Sequence, residues 1–301
     1  MNLKLFFILP LLLTLVSTAL FGLTRKMDHS ELLLVLNMDD LPLLPRNFRM
    51  TTDEWELTGQ SPSKLGFEKL KASGSGQFSK SSLETLLLQI PAFSVVIVDL
   101  REESHGFLNG NALSWYGNMN LGNLGKLVEE IAFDEQLRLQ QALNQCIVYY
   151  TRNDYPFPFM LEVQHVCDEA ALANRLGVGY LRIPCTDHRR PTDSVVDDFI
   201  YILRTRHPDA WLHFHCSAGK GRTTTFMTML DIFINAKEVG FEDILLRQKL
   251  IGGKDMWNLP GTDSWKYESM IDRIDFLKNF YRFCQSAPKN QLWTEWLLDK
   301  N

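Results

Sequence analysis

The sequence predicts an α/β fold: a central sheet flanked by helices, with a small inserted β-rich domain. Three observations lead there. Apolar, β-branched runs alternate with segments of helical periodicity along most of the chain, the pattern of strands layered with helices. One strand, Trp211 to His215, runs through a glycine-containing loop directly into a helical segment. The alternation breaks between 112 and 164, where aromatic, Asn- and Gly-rich turns and the Pro156–Pro158 pair mark an insert.

In chain order, Lys4 is followed by no charge from Leu5 to Thr24, an apolar stretch from Leu5 to Val16, and the small residues Ser17, Thr18 and Ala19. Residues 1–22 therefore read as a signal peptide, with cleavage after Ala19 and export to the periplasm or medium of a bacterium. An uncleaved membrane anchor is the alternative, since 20 uncharged residues just span a bilayer. Residues 23–40 read as a charged linker, 41–111 and 165–290 as the core, 112–164 as the insert and 291–301 as a C-terminal tail. Strands are expected at Ser94–Leu100, Cys146–Tyr150, Met160–Val166, Val178–Ile183 and Trp211–His215. Helices are expected at Ser82–Gln89, Gly125–Gln145, Asp168–Leu176, Asp193–Arg206, Arg222–Ala236 and Ser264–Gln285. There is no internal repeat.

Composition narrows the function. Of 301 residues, 45% are hydrophobic and 22% charged, an ordinary globular balance. Lys plus Arg (31) against Asp plus Glu (36) gives −5, which argues against a nucleic-acid-coating protein and confines any anionic ligand to a locally basic pocket. The five cysteines form no Cys-x-x-Cys pair, so a zinc cluster or disulfide scaffold is not expected. His213 and His215 share a strand face but have no third ligand at fitting spacing. No metal or cofactor is expected.

The chemistry concentrates in Trp211-Leu-His-Phe-His-Cys-Ser-Ala-Gly-Lys-Gly-Arg-Thr223. Successive N–H groups of a short loop entering a helix can turn inward and cradle a tetrahedral oxyanion. Cys216 at the centre would be a thiolate nucleophile, stabilised by those dipoles and by Arg222. Arg222 can fork two N–H donors onto phosphate oxygens. Ser217, Ala218, Gly219, Lys220 and Gly221 supply the cradle, and the two glycines admit backbone conformations that a Cβ disfavours. A second Cys-x5-Arg, Cys146 to Arg152, lacks glycine and reads as a strand.

This segment resembles the His-Cys-x5-Arg-Thr signature of cysteine-dependent phosphatases. Further matches narrow the resemblance to the bacterial protein-tyrosine-phosphatase-like inositol polyphosphatases, or cysteine phytases. They are Leu44-Pro-Arg-Asn-Phe48, Ser73-Gly-Ser-Gly-Gln-Phe-Ser79, Asp99-Leu-Arg-Glu-Glu-Ser-His-Gly-Phe-Leu-Asn109, Ser114-Trp-Tyr116, Gly177-Val-Gly-Tyr180 and Arg182-Ile-Pro-Cys-Thr-Asp-His-Arg-Arg-Pro-Thr-Asp193.

The resemblance implies a protein-tyrosine-phosphatase-like core and hydrolysis of myo-inositol polyphosphates through a phosphocysteine. It implies Asp187 as the general acid, Thr223 as the hydroxyl that helps the thiolate leave, and Arg101 and His188 as substrate contacts. Gln248 is expected to position water or to be a helix-surface residue, His215 to order the loop from behind, and Glu102, Glu103 and His105 to hold loops. Lys220 departs from many family members and resembles the lysine of 3-phosphoinositide phosphatases. A phosphoinositide or a phosphotyrosine protein is therefore the alternative substrate, and a catalytically silent phosphate-binding module the non-enzyme alternative.

Overall fold

The computed structural model describes residues 32–55, 61–151 and 158–300. The expected signal or anchor segment lies outside them. Among the described residues the strands are β1 (Leu33–Met38), β2 (Arg49–Met50), β3 (Ala72–Ser75), β4 (Val95–Arg101), β5 (His105–Leu108), β6 (Asn111–Tyr116), β7 (Cys146–Thr151), β8 (Phe159–Glu162), β9 (Val166–Cys167), β10 (Gly179–Cys185) and β11 (Trp211–His215). The α-helices are α1 (Lys80–Gln89), α2 (Val128–Ala142), α3 (Glu169–Arg175), α4 (Asp193–Thr205), α5 (Gly221–Asn235), α6 (Phe241–Leu250), α7 (Tyr267–Ser286) and α8 (Trp293–Asp299).

They build an α/β molecule with two sheets. The five-stranded sheet runs β10-β4-β11-β3-β2; β10, β4, β11 and β3 are parallel and β2 is antiparallel at one edge. Every residue of β11 is buried, as expected of a central strand covered on both faces. One face packs Phe199, Phe214, Phe226, Leu230 and Phe280 under α4, α5 and α7. The other packs Phe78, Leu83, Ile97, Phe107 and Leu172 under α1 and α3.

The six-stranded sheet runs β8-β7-β1-β6-β5-β9, with Leu108, Leu113, Leu139 and Val163 as its core beneath α2. It begins earlier than the expected insert. The expected linker contains β1, which pairs antiparallel with β6 and parallel with β7. The physical reason is its long-range position: Val35 and Asn37 are buried only because β6 and β7 flank them. Likewise β5 follows β4 after a three-residue turn, 102–104, in which the chain changes sheets.

The expected tail holds α8. Trp293 packs edge-on against Phe276 and Phe283, its indole N–H donates to Asp193 Oδ1 (2.9 Å), and Glu295 caps the Leu292 N–H (2.9 Å). Helix α6 was not expected either; it caps one end of α5 through Arg247, which is paired with the buried Asp231.

Candidate active site

Strand β11 delivers the 216–220 loop to the carboxyl edge of the sheet, where ligands of open α/β sheets collect, and α5 starts at Gly221. Gly219 has φ +73°, and a Cβ there would lie 2.3 Å from the Gly76 nitrogen. Only glycine fits that approach.

Cys216 is buried beneath this loop, and the Thr223 hydroxyl donates to its Sγ at 3.2 Å. Burial pushes the thiol pKa up, but Arg222 and the Thr223 hydrogen bonds outweigh it and hold the thiol below its ordinary value. Arg222 is itself fixed: its Nη1 and Nη2 donate to the two Glu103 oxygens at 2.6 and 2.9 Å, and Nη1 also reaches the Cys185 carbonyl at 3.1 Å. Its buried Nε has no hydrogen-bond partner among the described residues. A buried donor of that kind suits an incoming oxyanion.

Asp187 stands in the turn after β10. Its Oδ2 lies 3.2 Å from Arg222 Nη2 and accepts from Asn120 Nδ2 at 3.0 Å. Burial raises this carboxyl, while Arg222, His188 and Asn120 bring it net below the usual carboxylate range. The turn is held from several sides. The Thr186 hydroxyl donates to Glu102 (3.2 Å), Arg273 donates to the Arg189 carbonyl (2.8 Å), and the His188 ring, at φ +63°, meets Trp265 edge-on at 4.9 Å.

A cavity of about 720 Å³ opens above Cys216, lined by Asp187, His188, Ser217, Ala218, Lys220, Gly221 and Arg222. Four residues that sequence reasoning missed join them: Lys254, Lys266, Met270 and Arg273. No spacing links these to the loop, since they come from the α6–α7 connection and the first turns of α7. Leu33, Val35, Tyr116, Tyr150 and Thr151 of the six-stranded sheet close the opposite wall. Lys254 is pushed down to about 8, first by burial and then by the charges of Arg273 and Lys266.

The expected substrate contact Arg101 and the expected water-positioning Gln248 do not line the cavity. Arg101 is fully buried; it pairs with Glu103 (2.8 Å) and donates to Asn37 and Gln77, both at 2.7 Å. Having a buried carboxylate and two amides as partners, it supports Glu103 and, through it, Arg222. Gln248 is neither a water-positioning group at the cavity nor a helix-surface residue: it is buried and donates to Asp231 at 3.2 Å. His215 turns away from the cavity, with Nε2 2.6 Å from Glu169 Oε1. His213 is engaged by Ser73 (2.8 Å) and Ser75 (3.0 Å), and Cys146 is exposed on β7.

The model of the PTP-like phytase family, whose description reads inositol hexakisphosphate, matches residues 98–234. The structure of a PTP-like phytase from Bdellovibrio bacteriovorus is 32% identical, with a TM-score of 0.74 over 91% of this chain and 98% of that one. The chain belongs to the PTP-like phytase family. Within that family, a PTP-like myo-inositol phosphatase from Mitsuokella multacida, solved in complex with myo-inositol-(1,3,4,5)-tetrakisphosphate, is 34% identical with a TM-score of 0.84, over 91% of this chain and 50% of that one. Effector protein hopD2 of Pseudomonas syringae pv. tomato is 28% identical over 243 residues, 77% of this chain and 52% of that protein. The chain thus spans about half the length of these last two relatives. The segment matched by the family model, from β4 to α5, contains Arg222, Glu103, Asp187 and Cys216 together.

Proposed function

We propose that this PTP-like phytase hydrolyses phosphomonoesters of myo-inositol polyphosphates through a phosphocysteine intermediate. The observation that carries the reading is the convergence, in one cationic cavity, of a thiol held below its ordinary pKa, an arginine with a free buried N–H and a carboxyl beside it.

The Cys216 thiolate attacks phosphorus, forming S–P as the P–O bond to inositol breaks. Arg222 and the loop N–H groups hold the non-bridging oxygens. Asp187 delivers its proton to the departing inositol oxygen. It is ionised in the empty site because Arg222 faces it; a bound phosphate dianion takes up that positive charge and raises the carboxyl toward protonation. Water then attacks the phosphocysteine, giving its proton to Asp187, and the Thr223 hydroxyl stabilises the leaving thiolate.

Substrate class follows from charge. Lys220, Lys254, Lys266 and Arg273 border a site in a chain of net charge −5, so the positive potential is local and matches a ligand with several phosphates. A phosphoinositide is the second reading, favoured by Lys220 and by the apolar wall of Leu33, Val35 and Tyr116.

The test measures phosphate release from inositol hexakisphosphate, a soluble phosphoinositide and a phosphotyrosyl peptide, in wild type, Cys216→Ser and Cys146→Ser. Inositol hexakisphosphate should be hydrolysed fastest, and Cys216→Ser should abolish turnover while ligand still binds. Turnover in Cys216→Ser within tenfold of wild type would refute the mechanism. Preference for the peptide would refute the substrate class.

A further inference from the structure

The 216–222 loop is held from outside as well as from within. Three successive carbonyls are captured on its outer side: Ser217 O accepts from Gln77 N (3.3 Å), Ala218 O from Asn47 Nδ2 (2.8 Å) and Gly219 O from Arg49 Nη1 (2.8 Å). In a planar trans peptide the C=O and the following N–H point in opposite directions. Fixing those carbonyls outward therefore aims the N–H groups of Ala218, Gly219 and Lys220 to the other side, where Cys216 and the cavity lie.

Arg49 is the unusual member. It is buried on the edge strand β2 with no carboxylate partner among its hydrogen bonds. Its Nη1 also donates to Asn47 O (2.9 Å), and its Nη2 to Thr224 Oγ1 (3.1 Å) on α5. A buried, carboxylate-free guanidinium is costly, so its retention calls for a compensating negative charge.

We propose that Asn47 and Arg49 form an outer clamp that sets the inward aim of the loop N–H groups, and that Arg49 is a positioning residue whose buried positive charge stabilises the Cys216 thiolate from behind. The proposal rests on the phosphatase reading and adds residues outside the cavity to it. Burial pushes Arg49 down to about 10, which leaves it charged at neutral pH, and the Cys216 thiolate acts in the opposite direction.

Other groups act on the same thiol. Arg222 on α5 and Arg273 on α7 favour the thiolate, and Asp187 in the turn after β10 opposes it. His188, Lys220, Lys254 and Lys266 border the cavity above it. Arg49 in turn faces Lys220 and the neutral His213. Arg222 is held by Glu103, so its charge is partly answered; the Arg49 side chain donates to two carbonyls and a hydroxyl and has no carboxylate among those partners.

The experiment follows alkylation of each cysteine by neutral iodoacetamide across pH, read by mass spectrometry, with exposed Cys146 as the internal reference. Wild type, Arg49→Met, Arg49→Gln, Arg49→Lys and Asn47→Gly are compared, and the inhibition constant of inorganic phosphate is measured in each. Asn47→Gly deletes the amide but tolerates the φ of +56° at that position.

Arg49→Met should slow Cys216 alkylation at pH 6 about tenfold, equivalent to one unit of thiol pKa, with Cys146 unchanged. Arg49→Lys should recover part of that loss. Asn47→Gly should raise the phosphate inhibition constant by about threefold or more with little change in the Cys216 profile. A folded Arg49→Met with the wild-type Cys216 profile overturns the electrostatic role, and an unchanged phosphate constant in Asn47→Gly overturns the clamp. If Arg49→Met does not fold, Arg49→Gln, which also lacks the charge, decides: a folded Arg49→Gln with the wild-type Cys216 profile overturns the role of Arg49. A wild-type Cys216 that alkylates no faster than Cys146 at pH 6 instead refutes the phosphatase reading itself.

Discussion

Asp187 has its proton set by its neighbours rather than by its own chemistry. Arg222 and Asn120 both favour the carboxylate and, against its burial, hold the group below the usual carboxylate range. Asn120, buried at φ +64° in the loop after β6, also fixes the direction of the carboxyl. Asn120→Gly should lower kcat on an inositol phosphate by about tenfold, the scale of lost orientation. Removing its N–H also raises the Asp187 pKa, so the alkaline limb of the pH–rate profile should move to higher pH; a limb that stays in place would leave Asn120 a merely structural contact. Asp187→Asn should cost on the order of 10²–10⁴ with an inositol phosphate, whose alkoxide leaves badly unprotonated. A nitrophenyl ester needs no such proton, so the same variant should still give a pre-steady-state burst of nitrophenol. Loss of the burst together with an equal loss on both substrates would remove Asp187 from the acid role. Cys216, Arg222 and Thr223 were legible in the sequence because loop and helix start are contiguous and the spacing is their geometry. Asn120 and Arg49 were not, because each reaches the site only through a long-range fold contact that no local pattern records. Arg101 was misplaced for the same reason: its position at the end of β4 was readable, but the amides of Asn37 and Gln77 that draw it inward were not.

At the scale of elements, the central strands and their helices were legible from periodicity, since β4, β10 and β11 are apolar runs and α4 is strongly amphipathic. Strand β1 escaped because its apolar Leu33–Leu36 run sits among charges and becomes a strand only when β6 and β7 flank it. Helix α8 is seven residues long, below the length at which a pattern stands out, and its stability comes from the Trp293 contacts with α7. The α6–α7 connection has little regular structure, yet it supplies Lys254 and Lys266 to the cavity. Lys254, pushed down to about 8, is a cation below that pH and neutral above it. Binding of inositol hexakisphosphate to Cys216→Ser should therefore weaken as pH rises through about 8, and near that pH complex formation should take up a proton. Calorimetry in buffers of different ionisation enthalpy reads the uptake directly. Lys254→Met should bind more weakly at pH 7 and lose most of the uptake; an unchanged uptake would place the titrating group elsewhere.

The two sheets are joined by a buried ionic network. Asp99 of β4 lies 3.4 Å from His105 Nε2 of β5 and 3.4 Å from Arg182 Nε of β10. Glu135 of α2 pairs with Arg182 at 3.0 Å and with His105 Nδ1 at 3.4 Å, and Glu169 of α3 lies 3.4 Å from His105. Burial and Arg101 work against the His105 imidazolium, but Asp99 and Glu135 prevail and lift its pKa to about 9. Its folded value is thus raised above the unfolded value of about 6.5. The stabilisation is fully present below about 6.5 and is lost as pH rises through about 9. On this shift it amounts to on the order of 3 kcal/mol. Lys254 also titrates in the alkaline range, so absolute stability against pH mixes several groups, but it is present in wild type and in a His105 variant alike. The difference in unfolding free energy between wild type and His105→Gln isolates the imidazolium. That difference should be largest near pH 6 and should shrink steadily toward pH 9, measured by urea unfolding at each pH. A difference that is constant from pH 6 to pH 9 would mean that His105 is neutral in the fold.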